Sequence, residues 1–353
     1  MATIKEIAQR ANVSSATVSH VINNTRFVSD EVRGRVEAAV QALGYVPNAL
    51  ARSLRKRDTR TLGMMIPDIG NAFFAELVRA VEDECYRQGY SLVLCNTDDD
   101  PARQVAYLQT LMAKRVDGLV LIAAGRDAEL ARLLHASWLP LVVVDREIEG
   151  VAGDLVEVDH EQGGYLAATH LLSLGHRRIA VIAGPSGLAV SRQRVAGCVR
   201  ALREAGVALP AEHLVHADFT TEGGHGAAAA LLALRHRPTA IFACNDLSAL
   251  GAIHAARAAR LRVPDDLSVV GFDDIALAAF VSPRLTTIRQ PKQRIGALAA
   301  QLLIARVAGQ RTDAVRKILP PELEPGATTA PPAVLLADAV APMRAARATR
   351  KRA

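Results

Sequence analysis

Cysteine is scarce in this chain. Four thiols, Cys85, Cys95, Cys198 and Cys244, are scattered over 353 residues with none of the close spacing that metal ligands need. That pattern argues against a disulfide framework and predicts buried, unpaired thiols. No apolar stretch approaches the ~20 residues of a membrane span. The opening MATIKEIAQR lacks the apolar core of a signal peptide, so a cytoplasmic protein without a membrane partner is expected. Catalytic signatures are missing as well. Gly223-Gly224-His225-Gly226 has no P-loop lysine, and there is no nucleophile elbow and no His/Cys cluster. No catalytic residue, metal or cofactor is therefore expected, and His176 and His225 read as surface or capping residues.

Half the residues are apolar and 22 % are charged, as in an ordinary globular chain long enough for two or three domains. The charge is uneven. Residues 1–60 carry ten Lys and Arg against five Asp and Glu, and residues 339–353 carry five basic side chains and no acid. The net charge is only +6, so the middle of the chain is mildly acidic. A basic head on an acidic body suits a polyanionic partner.

The head has strong helix punctuation. Thr3-Ile-Lys-Glu6 is a capping box, and Ile4, Ile7, Ala8 and Ala11 then line one face. Asn12-Val13 breaks that helix and Ser14 can cap a second, with Val18, Val21 and Ile22 inward. A third begins at Ser29-Asp30-Glu31 and stops at Gly44. Two short helices joined by a tight turn and braced by a third describe a helix-turn-helix. In that arrangement Ser15, Ala16 and Thr17 are small enough to let the second helix into a major groove, and His20 can reach a base. A plain three-helix bundle with polar residues facing water fits the same pattern, and the head alone leaves both open.

The next stretch, Pro47-Asn48-Ala-Leu-Ala-Arg-Ser-Leu54-Arg55-Lys-Arg57, is about two turns of helix with Asn48 as its cap. Such a short helix is marginal in water. Leu54 among Arg52, Arg55, Lys56 and Arg57 is the kind of apolar wedge that enters a minor groove.

From Thr61 the pattern alternates near-continuous apolar strands with amphipathic helices: TLGMMIPD, SLVLCNT, GLVLIA, LPLVVVD, then RIAVIAG, LVHADF, TAIFACND and LSVVGFDD. These are buried parallel strands, and they predict two doubly wound α/β halves, with LTTIRQP returning the chain to the first. Polar and aromatic residues gather just past the strand ends: Asn71, Phe73, Phe74, Asp145, Arg146, Arg192, Phe219, Asn245, Asp273 and Gln290. Ligands of open α/β sheets bind there, so these groups should converge on a cleft. Flat hydrogen-bonding groups beside aromatic faces suit a small polyol. Singly, each has a structural reading as a cap, a turn or an ion pair.

MATIKEIAQRANVSSATVSHVINNTRFVS followed by YVPNALARSLR resembles the LacI/GalR family of bacterial transcription regulators, and within it most the purine and ribose repressors. The resemblance runs to about residue 325. It implies a small all-α helix-turn-helix head joined by a hinge helix to a periplasmic-binding-protein-like body of two doubly wound α/β subdomains. The boundaries are a DNA-binding domain at 1–46, a hinge and linker at 47–60, and an effector-binding and dimerisation body at 61–330. Its first half is about 61–161 plus 289–318 and its second about 162–288 plus 319–330. Residues 331–353 are expected to be a disordered basic tail.

The resemblance implies DNA contacts from Ser15, Ala16, Thr17, His20, Arg26, Asn48, Leu54 and Arg55, with Leu54 intercalating. Ala16 stands where relatives often have a polar reader. Sugar contacts are implied for the ten strand-end residues, Arg192 being the one whose loop could slip toward Arg194. The expected function is a homodimeric repressor of a sugar operon, released from a palindromic operator by D-ribose or a derivative. The alternatives are a purine corepressor-dependent repressor and, in another class, a sugar-binding receptor module.

Overall fold

A computed structural model describes residues 2–45, 58–122, 128–137, 139–146, 148, 150–151 and 153–333. The expectations for Asn48, Leu54, Arg55 and the tail beyond residue 333 lie outside the described residues. Two compact units, 1–59 and 60–353, are each described by themselves.

The head holds three helices, α1 (Ile4–Ala11), α2 (Ser15–Asn23) and α3 (Asp30–Ala42). The capping box at Thr3 and Glu6 forms, with Thr3 N donating to Glu6 Oε2 at 2.7 Å. Asn12 ends α1 in the left-handed region, and the Thr17 amide donates to Ser14 Oγ at 3.1 Å to start α2. Such a cap contributes about 1 kcal/mol. Ile7, Ala8, Ala11, Val18, Val21, Val36 and Ala39 form the core between the helices.

The body has two six-stranded sheets. Strands β1 (Thr61–Ile66), β2 (Ser91–Asn96), β3 (Gly118–Leu121), β4 (Leu141–Val144), β5 (Asp154–Val158) and β11 (Arg316–Leu319) form the first, in the order β11-β5-β4-β3-β1-β2 and parallel throughout. The second contains β6 (Ile179–Ala183), β7 (Leu214–His216), β8 (Ala240–Ala243), β9 (Ser268–Asp273), β10 (Thr286–Arg289) and β12 (Glu322–Glu324). Its order is β12-β10-β9-β8-β6-β7, with only the edge strand β12 antiparallel. Sheets covered on both faces explain why the central strands read as unbroken apolar runs.

The first sheet is flanked by α4 (Ala72–Arg87), α5 (Pro101–Ala113), α6 (Ala128–Ser137) and α11 (Lys292–Val307). The second has α7 (His160–Ser173), α8 (Ala189–Glu204), α9 (Thr221–Leu232) and α10 (Asp246–Ala258). The chain crosses between the sheets after β5, after β10 and after β11. LTTIRQP, expected to return the chain to the first half, does so only through its last two residues. Its strand, β10, pairs with β9 in the second sheet, and the return follows at Gln290-Pro291, where proline ends the ladder.

Two glycines set how closely α7 and α8 approach. A Cβ on Gly164 would lie 1.9 Å from the Arg194 carbonyl oxygen, and one on Gly197 would lie 1.8 Å from that of Glu161. Only glycine permits this crossing, which fixes where α8 carries Arg194. All four cysteines are buried and unpaired. His176, expected at the surface, is buried instead. Its ring bonds Thr239 Oγ1 at 2.9 Å, Ser268 Oγ at 3.0 Å and the Ala330 carbonyl at 2.9 Å, pinning the last described stretch beneath the second sheet. Among the described residues no helix is long and apolar enough to cross a membrane.

Candidate functional site

The carboxyl ends of strands from both sheets converge on one cleft. Its walls include Asn71, Phe73, Phe74, Asp145, Arg146, Phe219, Asn245 and Asp273, all expected from the sequence, together with Val190 and Arg194. The side chains close the cleft to about 30 Å³, space for little more than one water. Three of the wall residues have the left-handed backbone that L side chains rarely adopt: Asp145 (φ 65°), Phe219 (φ 66°) and Asp273 (φ 115°). Strain of this kind concentrates where side chains must be aimed.

Each wall residue is held by its element. Asn71 caps α4 by accepting from the Phe73 amide at 3.0 Å, and so presents Phe73 and Phe74, whose rings meet edge-on at 5.2 Å. Asn245 caps α10, and its amide donates to the Phe219 carbonyl at 2.8 Å, which fixes the turn carrying that ring. Arg146 bonds Asp99 at 2.7 Å, and its guanidinium carbon lies 5.6 Å from the centre of the Phe74 ring.

Arg192 does not reach the cleft. It is exposed and donates to the Ser186 and Gly187 carbonyls at 2.8 Å. Two residues along a helix turn the side chain about 200° away, so Arg194 occupies the place expected for Arg192. Arg194 is buried. It donates to the Cys244 carbonyl at 2.6 Å and to His160 Nδ1 at 3.3 Å, lies 3.5 Å from Asp273 Oδ1, and stacks 3.8 Å from the Phe272 ring centroid. Gln290 is set behind the wall, where its Nε2 donates to Asp273 Oδ1 at 2.8 Å.

His160 was not anticipated. It opens α7 and is fully buried, with Nε2 3.1 Å from Asp145 Oδ1. Since Nδ1 accepts from Arg194, the proton belongs on Nε2, facing Asp145. The residues Asp145, His160, Arg194 and Asp273 thus form one buried polar chain from β4 of the first sheet to β9 of the second. Only the HEQ run after strand β5 hinted at it.

The two carboxylates differ. Burial pushes Asp145 up, but the hydrogen bond from His160 and the charges of His160, Arg194 and Arg146 outweigh it and hold the group at about 2. Asp273 is pushed up to about 6, by burial first and by the Asp145 charge, against the pull of Arg194, Gln290 and Lys292. Burial and the Arg194 charge lower His160 from its ordinary value, against the pull of Asp145 and Glu157. The cleft therefore offers fixed acceptors and donors beside aromatic rings, which suits recognition of a small ring.

On the head, Ser15, Ala16 and Arg26 are exposed, while Thr17 and His20 are half-buried. Thr17 Oγ1 lies 2.9 Å from Ser14 Oγ, and His20 Nδ1 lies 2.9 Å from Thr25 Oγ1. The face of α2 is thus small and hydroxyl-rich, with its imidazole anchored through one nitrogen.

Comparisons with known proteins agree with both parts. Residues 3–48 match the family of bacterial regulatory proteins, lacI family, and residues 168–329 match a periplasmic binding protein-like domain. The chain is 44 % identical to the HTH-type transcriptional repressor PurR of Photobacterium profundum, over 87 % of this chain and 92 % of that protein. A lac repressor bound to ONPG in the repressed state superposes with a TM-score of 0.85 at 29 % identity, covering 93 % of this chain and 99 % of that one. A LacI family regulator from Enterococcus faecium with bound ribose gives 0.69 at 33 % identity, over 77 % of this chain and 99 % of that one.

Proposed function

The chain belongs to the lacI family of bacterial regulatory proteins and is a DNA-binding transcriptional repressor, and we propose from that premise that a purine base in the cleft around Arg194 and Asp273 sets its affinity for operator DNA. The ribose reading expected from the sequence gives way here, because the curated relatives at 42–45 % identity are repressors named PurR, purine repressors by that name. The observation that carries the reading is the Arg194–Asp273 pair beside the rings of Phe73, Phe74 and Phe219. A flat heteroaromatic can stack on such rings, donate a ring N–H to a carboxylate and accept from a guanidinium.

The ligand acts as a corepressor on this reading. Bonded from both lobes, it favours the closed body, where all its polar groups are satisfied. A coupling of about 1–3 kcal/mol is enough to change operator occupancy several- to a hundredfold. The operator is a pseudo-palindrome read by a homodimer. Exposed Tyr86 on α4, Leu94 on the edge strand β2 and Met112 on α5 support an apolar contact between copies of the first lobe, and Leu277 and Phe280 one between copies of the second.

Ribose remains a second reading on one specific observation. Asp145 and Asp273 are two buried carboxylates on opposite sides of the cleft, and adjacent hydroxyls are natural donors to both. Calorimetric titration of the protein with hypoxanthine, guanine and D-ribose separates the two. Heat with a purine alone supports the corepressor reading, and heat with ribose alone replaces it with an inducer.

A further inference from the structure

Lys292 is a buried lysine at the first position of α11, on the crossover from the second lobe back to the first. Its ammonium has three N–H donors, and three acceptors surround it. Lys292 Nζ donates to the Asp273 carbonyl at 2.8 Å and to the Asp274 carbonyl, and lies 3.3 Å from Glu76 Oε2. The other Glu76 oxygen accepts from the Ala276 amide at 2.8 Å. Glu76 and Lys292 therefore grip the backbone of residues 273–276 at both ends.

That backbone needs a grip. Asp273 and Asp274 are consecutive non-glycine residues with φ of 115° and 54°. Their two successive carbonyls both accept from the Lys292 ammonium, whose charge strengthens the bonds that hold this strained backbone. Glu76 in turn lies on the first turn and a half of α4, the helix whose start carries Phe73 and Phe74 into the cleft. The Glu76–Lys292 pair, through its bonds to the backbone of Asp273, Asp274 and Ala276, thus joins the second-lobe loop that aims Asp273 to the first-lobe helix that supplies the aromatic wall.

We propose that Lys292 and Glu76 are positioning residues that couple the Asp273 loop to helix α4, so that what happens at Asp273 is transmitted along α4. The role in ligand response rests on the cleft being the effector site, but the mechanical coupling does not. A simple structural ion pair would stabilise the fold without linking the two segments.

Hydrogen exchange on the full-length protein, with no ligand added, reads the coupling directly. Lys292→Met should speed amide exchange at least tenfold both in 273–277 and in 72–77, with the β-strand cores unchanged. Glu76→Gln keeps an acceptor for Ala276 but loses the ion pair, so it should show a smaller rise in the same two segments. This isosteric variant keeps the test open if Lys292→Met does not fold. Acceleration confined to 273–277, with 72–77 at the wild-type rate, would overturn the proposal. Operator affinity with and without hypoxanthine, and with and without D-ribose, is the second readout. The ligand-induced change should shrink at least fivefold in Lys292→Met, and an undiminished change in the folded variant also overturns it. A wild type that responds to neither ligand instead sinks the effector reading of the cleft, and the exchange pattern then decides the coupling alone.

Discussion

Arg194 Nη1 lies 3.5 Å from Asp273 Oδ1, both side chains buried, with the guanidinium carbon 3.8 Å from the centre of the neighbouring Phe272 ring. A buried pair of this kind contributes little net stability against an apolar substitute, but removing one partner is costly. Arg194→Ala removes the cation beside the buried Asp273 carboxylate and the donor to the Cys244 carbonyl. It should lower stability by about 3–5 kcal/mol and abolish ligand binding. Arg192→Ala, which loses only two surface bonds to carbonyls, should stay within about 0.5 kcal/mol of wild type and bind normally. Thermal melts and calorimetry on the two variants measure both effects. Equal losses in the two would mean that α8 is rotated from the position described.

The contrast between the two carboxylates gives a pH signature. Asp273 sits at about 6 in the fold, above its ordinary value of 3.8, so its contribution to stability is fully present below 3.8 and is lost as pH rises through 6. Asp246 is pushed well up by burial and by Asp273, and acts in the same direction. Asp145, held at about 2, contributes the opposite way: its stabilisation is present above 3.8 and lost as pH falls toward 2. The melting temperature relative to an Asp273→Asn variant should therefore rise as pH is lowered from 7 to 4. A flat difference across that range contradicts the raised value. Ligand affinity that depends on the ionised Asp273 should fall over the same interval.

Gly164 tests how packing positions the site. Gly164→Ala must push α8 away at the Arg194 backbone, at a cost of about 1–3 kcal/mol of overpacking strain. Because the displaced residue is Arg194, ligand affinity should drop along with the melting temperature. A variant that melts lower but binds normally would separate the crossing from the cleft.

The intercalation expectation concerns Leu54, outside the described residues, and stands on the sequence. An operator with a flexible pyrimidine–purine step, CpG, at its centre is expected, where two Leu54 side chains would wedge the duplex open. Leu54→Ala should weaken specific binding at least tenfold while the body melts as in wild type. Operator binding at wild-type strength in this variant removes the wedge.

Much of the fold was legible because parallel strands buried on both faces write themselves as unbroken apolar runs, and because Thr3, Asn12 and Ser14 punctuate the head in sequence. Strand ends pointed to eight of the cleft residues for the same topological reason. What failed were judgements that need the third dimension. Arg192 and Arg194 differ by two places in a string but by more than half a helical turn in space. His160 and Lys292 follow strands at the crossovers, where a linear reading assigns turn or surface roles. Whether LTTIR is still a strand of the second sheet or already the return to the first depends on which neighbour it pairs with, and nothing local states that. The ligand was the least legible of all, since carboxylates, guanidinium groups and phenyl rings serve a purine and a pentose alike.

A molecule seated in the cleft beside the Arg194–Asp273 pair is proposed to change how tightly the head holds DNA. The most direct measurement is operator binding by fluorescence anisotropy, at fixed salt, for wild type and Asp273→Asn with hypoxanthine, guanine or D-ribose added in turn. The account predicts at least tenfold tighter operator binding by wild type with a purine, no effect of ribose, and no response from Asp273→Asn. Operator affinity that no purine alters in wild type, or a purine response that survives unchanged in Asp273→Asn, would contradict it.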